Sequence, residues 1–353
     1  MAGKEQTMIG DNSGTPREIG HRVTIRDVAA GANAALSSVS RVLSGHPHVS
    51  EEMRLRVQKV AEDLGYEPNH NAQALRSGVS RTIGFVVRDI NNPLFALIAQ
   101  ECERELRRNG YSMILVNSDG SIEIENQNFS LLRKRRVDGI IASLVAEDSP
   151  YLKKNLNFAS CPIVLLDREV SNKDISAVVA NHASGVYEAV MSLAKLGHSK
   201  IALITGSNNI YPTRNRLQGF TKAHQDANLE IHSELLAIGG FDANYAFTHT
   251  LSLLHHRLAP TAFFAGGIGA LMGISQAFKK SKLTMGNDIA FVALDTLSFL
   301  EVFSANISTV YRDPAEMGRE AALLLLEGLE GAKSRISIIE TQFVERDSSK
   351  SSF

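Results

Sequence analysis

The chain has 353 residues, 44% of them hydrophobic, and a formal net charge of −1. That length accommodates more than one domain and a sizeable core, while the near-neutral charge excludes a globally basic nucleic-acid binder. Two cysteines, Cys102 and Cys161, stand far apart and outside any CxxC pattern, which excludes a disulfide framework and a paired-cysteine metal site and fits free thiols in a reducing cytosol.

Residues 1–20 are rich in Gly, Ser and Thr with little apolar periodicity, and are expected to be a disordered lead-in. No charged-then-apolar leader opens the chain, so no secretory signal is expected, and no apolar run reaches the ~18 residues of a membrane-spanning helix. From Val23 the pattern becomes helical. Thr24 and Asp27 have the spacing of a capping box, and Ile25, Val28 and Ala29 repeat on one face. Gly31 and Asn33 interrupt that face. A second short helix is expected over roughly Ala35 to Leu43, with Val39, Val42 and Leu43 inward. Leu36, Ser37, Ser38, Ser40 and Arg41 lie on or near the other face. Two such helices with a tight break form a helix-turn-helix. Short polar side chains and one arginine suit a major groove, where arginine matches guanine O6 and N7. A third helix follows Ser50, with Glu51 and Glu52 in its first turn, and ends at Gly65 and Pro68. Residues 21–78 hold seven basic against six acidic side chains, so geometry rather than charge carries the DNA reading. A last short helix is expected over His70 to Ser77; at about two turns it is too short to hold alone.

These residues resemble the LacI/GalR family of bacterial transcription repressors. The matching strings are TIRDVAA from Thr24, VSRVL from Val39, HVSEE from His48, LGYEPN from Leu64 and AQALR from Ala72, and the likeness runs through almost the whole chain. The family usually starts its second helix with a capping Ser or Thr. Here Ala34 and Ala35 stand there, leaving Asn33 as the candidate cap. The resemblance implies DNA contacts from Thr24, Leu36, Ser37, Ser38, Ser40, Arg41, His48, Asn69, Ala72, Leu75 and Arg76. Leu36, Ser37 and Arg41 would read bases, and Ser38 and Ser40 would hold phosphate. Leu75 matches a hinge leucine that enters the minor groove, and Ala72 lets two hinge helices approach.

From Arg81 onward short apolar runs alternate with amphipathic helices. Ten strands are expected, opening with TIGFVV from Thr82 and closing with STVY from Ser308. The helices between them include Leu94–Arg108, Ser184–Leu196, Arg214–Ala227 and Pro314–Leu329. Such alternation argues parallel sheets flanked by helices, and ten strands in ~265 residues exceed one comfortable sheet. The expected fold is an N-terminal all-α helix-turn-helix headpiece plus an α/β core of two lobes. The resemblance implies a core like periplasmic sugar-binding proteins. The expected domains are residues 21–68 for the headpiece, 69–79 for the hinge and linker, and 80–353 for the core. The N-terminal lobe takes about 80–180 and 311–339, the C-terminal lobe about 181–310 and 340–348. The chain crosses between them near Ala180, Val310 and Ile339.

Ligands of open α/β sheets sit beyond the carboxyl ends of strands. By resemblance the effector-binding candidates are Asp89, Asn92, Phe95, Arg168, Arg216, Phe241 and Asp295. Polar groups beside an aromatic platform suit a sugar ring. The family usually has Asn-Asp where Gly267-Ile268 stand, and another aspartate where Ala180 stands. With those polar anchors gone, the expected effector is a sugar, a sugar acid, a sugar phosphate or a less hydroxylated ligand, with loss of effector response as the alternative. Arg214 is expected to pair on the surface and His198 to be structural, and the adjacent His255 and His256 diverge on a helix, so no metal and no cofactor is expected.

Two other classes compete. The GGIG run at Gly266–Gly269 after a strand is partly like a dinucleotide fingerprint, which would make the chain an NAD(P)-dependent oxidoreductase. The third glycine, Gly273, falls one residue late, and Asp295 lies ~28 rather than about 20 residues on. A solute-binding module without DNA function is opposed by Val23–Arg76. The expectation is therefore a cytoplasmic, non-enzymatic, homodimeric repressor. It would bind a double-stranded operator and a small effector, and no leucine heptads for a tetramer follow Gln342.

Overall fold

The computed structural model describes residues 23–67, 78–157, 161–172, 174–295 and 306–351. Contacts divide the chain between Val79 and Ser80 into two compact units.

The first unit is helical among its described residues, with α1 (Ile25–Gly31), α2 (Leu36–Leu43) and α3 (Glu51–Asp63). The N–H and hydroxyl of Thr24 both donate to the Asp27 carboxylate, at 2.7 and 2.8 Å, so the entry to α1 is tied as the capping box requires. The turn into α2 departs from expectation. Asn33 takes a φ of 47° and forms the left-handed corner itself, so it cannot cap α2. The N-cap is Ala35, and no side chain accepts there. Ser50 does cap α3, accepting the Met53 N–H at 3.4 Å. Each helix is too short to be stable alone. Val28, Ala32, Val39, Val42, Val57 and Ala61 bury together and hold the three in one small core. The expected hinge helix over residues 70–77 lies outside the described residues.

The second unit carries two six-stranded sheets. The first contains β1 (Thr82–Val87), β2 (Ser112–Asn117), β3 (Gly139–Ala142), β4 (Ile163–Leu166), β5 (Ser176–Ala180) and β11 (Ile336–Ile339), in the order β11-β5-β4-β3-β1-β2. All its pairings are parallel. The second contains β6 (Ile201–Gly206), β7 (Leu236–Gly239), β8 (Ala262–Gly266), β9 (Ala290–Leu294), β10 (Ser308–Tyr311) and β12 (Gln342–Val344), in the order β12-β10-β9-β8-β6-β7. Only β12 runs antiparallel, against β10. Buried apolar runs such as those of β1, β6 and β8 fit strands covered on both faces.

Two strands, β11 and β12, were not among the ten expected. Their side chains are partly exposed, with Ile336 and Ile338 at 54% and 59%, so they lack the continuous apolar run that marks the inner strands. The chain passes between the sheets three times: after Ala180, after Tyr311 and between Ile339 and Gln342. Tyr311 is the last residue of β10, so the second passage falls just beyond Val310. Parallel order aims the carboxyl ends of the inner strands at one edge of each sheet, and those edges face a common cleft lined from both.

Candidate functional site

On the first unit, α2 divides cleanly. Val39 and Val42 are buried, while Leu36, Ser37 and Arg41 are exposed and Ser38 and Ser40 are half-buried. Leu36 is 45% exposed, unusual for a leucine on an eight-residue helix with a core to enter. Thr24 and His48 are also exposed. Asn69, Ala72, Leu75 and Arg76 lie outside the described residues.

On the second unit, a cavity of about 260 Å³ sits between the two sheets. All seven expected effector residues, Asp89, Asn92, Phe95, Arg168, Arg216, Phe241 and Asp295, line it. Their surroundings differ from one another. The Asp89 carboxylate accepts the Asn91 N–H at 2.9 Å, and Asn92 caps the helix Pro93–Arg108 by accepting the Leu94 N–H at 3.1 Å. Phe95 packs against the core of the N-terminal lobe. The ring of Phe241 abuts Gly206, where a Cβ would fall 1.8 Å from its Cζ, and the Arg88 guanidinium lies over it with 4.7 Å to the centroid. Phe241 is thus a platform already carrying a cation.

The arginines are held differently. Arg168 is buried, and it donates through Nε to the Leu144 carbonyl at 2.6 Å and through Nη1 to the Asp167 carbonyl at 2.7 Å. Arg216, also buried, donates through Nη1 to the Gly266 carbonyl at 2.8 Å and to Thr205 Oγ1 at 3.4 Å, while its Nε has no partner. Burial pushes both guanidinium pKa values down to about 10, which leaves them charged at neutral pH.

Asp295 is buried. It meets Arg312, which donates through Nε and Nη2 to its two oxygens at 2.9 and 3.0 Å. The same guanidinium donates through Nη1 to Asp167. Asp167 directly follows β4 and Asp295 directly follows β9, each with a positive φ, 51° and 64°, and each N–H returns to the neighbouring strand, to the carbonyls of Val178 and Val310. Arg312 is the first residue of the second passage between lobes, and it pins one strand end of each lobe. Burial pushes the Asp167 carboxyl up, but Arg312, His182 and the Ala180 N–H together outweigh it and hold the carboxyl well below the usual range. His182 completes the cluster, with Nε2 at 3.2 Å from Asp167 Oδ2. Burial pushes the imidazole down to about 4 against the pull of Asp167, so the contact is a hydrogen bond from neutral histidine rather than an ion pair.

Arg312, Arg88 and His182 were not among the sequence candidates. Arg88 and Arg312 directly follow strand ends, a position that could have flagged them; nothing local flags His182. Arg214 does pair, with Glu147 at 2.7 Å, and this pair joins the two lobes. Ile268 packs within the apolar cluster of the N-terminal lobe although its helix, Ile268–Ser281, belongs to the other. Gly269 and Gly273 face the backbone at Phe241 and Ala243, where a Cβ would fall 1.8 and 2.2 Å from a carbonyl oxygen, so helix packing accounts for them. His198 bridges Thr261 and the Ser351 carbonyl, a structural role. Among the described residues, no cluster of His, Cys, Asp and Glu could hold a metal, and no helix is long and apolar enough to cross a membrane.

Comparison with known proteins matches two family descriptions. Residues 24–69 match "Bacterial regulatory proteins, lacI family" and residues 80–347 match "Periplasmic binding proteins and sugar binding domain of LacI family". The chain is 29% identical to the ribose operon repressor of Haemophilus influenzae over 92% of its own length and 98% of that protein. It is 30% identical to the transcriptional repressor PurR of Aliivibrio fischeri, over 90% and 95%. Among solved structures, a lac repressor dimer bound to operator and an anti-inducer superposes with a TM-score of 0.81 at 25% identity, covering 94% of this chain and 100% of that one.

Proposed function

The chain belongs to the LacI family of bacterial regulators and is a DNA-binding transcriptional regulator of the repressor type, and we propose that it works as a homodimer on a palindromic operator under control of a small effector in the inter-lobe cavity. The observation that carries this reading is the pairing of an outward-facing α2 with a core whose cavity sits at strand ends. Leu36, Ser37 and Arg41 are assigned to base edges, Ser38 and Ser40 to phosphate, and Thr24 and His48 to the flanking backbone. Asn69, Ala72, Leu75 and Arg76 are assigned to the hinge contact with the minor groove.

Asp89, Asn92, Phe95, Arg168, Arg216, Phe241 and Asp295 are assigned to the effector site, in a protein working in the bacterial cytoplasm. Sugars are the first effectors to try, since one relative is named for ribose and a family description names sugar binding. The test is selection of operator from random duplexes, followed by release of that operator in the presence of candidate small molecules. A selected palindrome, and an effector response lost in Arg216→Ala and Phe241→Ala while operator binding persists, are the expected results. Selection of no sequence would remove the operator reading. Normal response in both variants would displace the effector from this cavity.

A further inference from the structure

We propose that β11 pairs edge to edge with β11 of a second copy of this chain, antiparallel about a twofold axis at Ser337. The operator reading leaves open how copies meet, and this inference goes beyond it by naming a surface.

β11 is the outermost strand of its sheet, with β5 on its inner side. The Ala177 N–H donates to the Arg335 carbonyl at 3.1 Å and the Asn181 N–H to the Ile339 carbonyl at 2.8 Å. The backbone groups of successive strand residues point to alternate sides. Residues 335, 337 and 339 therefore face β5, and Ile336 and Ile338 turn their N–H and C=O outward. Among the described residues no strand pairs with that outer side. Edges are usually guarded by proline, charge or a bulge. β11 reads Ile-Ser-Ile-Ile and pairs with β5 in unbroken register, so only its shortness guards it. It also carries Ile336 and Ile338 at 54% and 59% exposure. Both share a face with Ala177 and Val179, their register partners, which belong to a buried apolar cluster. The two isoleucines continue that apolar face past the last strand and into solvent.

The strand is complementary to a copy of itself. Outward backbone groups must meet outward backbone groups, so even-numbered residues stand opposite even-numbered residues. With Ser337 on the axis, Ile336 faces the second copy's Ile338, and Ile338 faces the second copy's Ile336. Each pair exchanges two backbone hydrogen bonds, and the four isoleucines become cross-strand neighbours on one face. Slipping the register by two residues sets an isoleucine against Ser334 in one direction and against Glu340 in the other. The axis at Ser337 is thereby selected. Charge agrees with this register. Lys333 and Glu340 are both exposed and flank the strand at opposite ends. Antiparallel pairing brings each Lys333 beside the second copy's Glu340. Such a contact is closed by its own twofold axis. Its area is small, so association depends on concentration.

The test is sedimentation velocity on the full chain without DNA, across a wide range of concentration. The parent should show a heavier species that grows with concentration. Ile336→Lys combined with Ile338→Lys sets like charges opposite each other and should halve the mass of that species. Ile336→Glu combined with Ile338→Lys sets opposite charges there and should restore it. Both side chains already stand in solvent, so every variant should keep the parent's Tm. A further variant fixes the axis. Ser337→Cys, made together with Cys161→Ser because that thiol is partly exposed, brings two thiols opposite each other. Their Cα atoms would lie about 4.5 Å apart, within the roughly 4.4–6.8 Å that a disulfide spans. Mild oxidation should give a covalent dimer, whereas Ser334→Cys in the same background should not. Equal loss of mass in both charged double variants would mean an apolar contact without this register and would overturn the pairing. A parent mass that ignores concentration and both substitutions, or no covalent dimer from Ser337→Cys, would overturn it as well.

Discussion

Arg312 grips Asp295 with two parallel hydrogen bonds, Nε and Nη2 to the two carboxylate oxygens at 2.9 and 3.0 Å, and reaches Asp167 with the third nitrogen. One side chain thereby pairs with a carboxylate at a strand end of each lobe. Buried ion pairs add little net stability when assembled, but breaking one strands a desolvated charge.

Arg312→Met should therefore cost roughly 3–5 kcal/mol, since it leaves two buried carboxylates facing each other. The check is thermal unfolding of the core, with a fall of several degrees expected. Adding Asp167→Asn and Asp295→Asn to Arg312→Met should recover much of the loss. A single variant as stable as the parent would mean that water already compensates the cluster.

The alternation of strand and helix and the outward face of α2 are legible in the sequence because each depends on local periodicity, whereas the three passages between lobes follow from the family resemblance. The pairing of Arg312 with Asp167 is not, because the partners lie 145 residues apart and meet only when both lobes have formed. The same holds for β11, whose pairing to β5 joins Ile336 to Ala177 across a separation no local pattern encodes. Arg214 shows a middle case. Its type and position predict a surface ion pair, and the structure supplies one, but with a carboxylate of the opposite lobe.

That carboxylate, Glu147, accepts from three donors: the Glu169 N–H at 3.0 Å, the Tyr211 N–H at 2.8 Å and Arg214 Nη2 at 2.7 Å. Two of the three belong to the helix Tyr211–Asp226 of the C-terminal lobe. Glu147→Ala should loosen the contact between the lobes on this side. Charged hydrogen bonds contribute about 1.5–3 kcal/mol, so exchange of the Tyr211 amide should quicken about tenfold or more. Glu147→Gln keeps an acceptor for Tyr211 and should fall between. Unchanged protection in Glu147→Ala would show that the lobes are held together elsewhere, by Arg312 and Ile268.

Arg41 is the one cation on the exposed face of α2. Arg41→Ala should cost about 1–3 kcal/mol on the selected operator and relax preference at one base pair of each half-site. Competition between selected and random duplexes at fixed salt decides the matter. Equal loss on both would assign Arg41 to phosphate instead.

The last prediction concerns pH, where two buried groups pull in opposite directions. Glu125 is buried on the helix Ile122–Lys134, accepting the Val145 N–H at 2.6 Å. Burial pushes its carboxyl from 4.5 up to about 7, against that bond and Arg168. Between those values the folded state holds a proton that the unfolded state releases, so stability falls as pH rises. His182, pushed from 6.5 down to about 4, does the reverse. Between those values the unfolded state takes up a proton that the folded state refuses, so stability rises with pH. Each slope is about 1.4 kcal/mol per pH unit. The two oppose each other from about 4.5 to 6.5, and their contributions nearly cancel there. Replacing one group exposes the other. Glu125→Gln, which keeps an acceptor for Val145, should give a core whose stability climbs between pH 4.5 and 6.5 and no longer declines toward 7. His182→Asn should give one whose stability declines across the same window. Thermal unfolding at half-unit steps of pH separates the two. Identical profiles for both variants and the parent would mean that neither group changes its proton occupancy on folding.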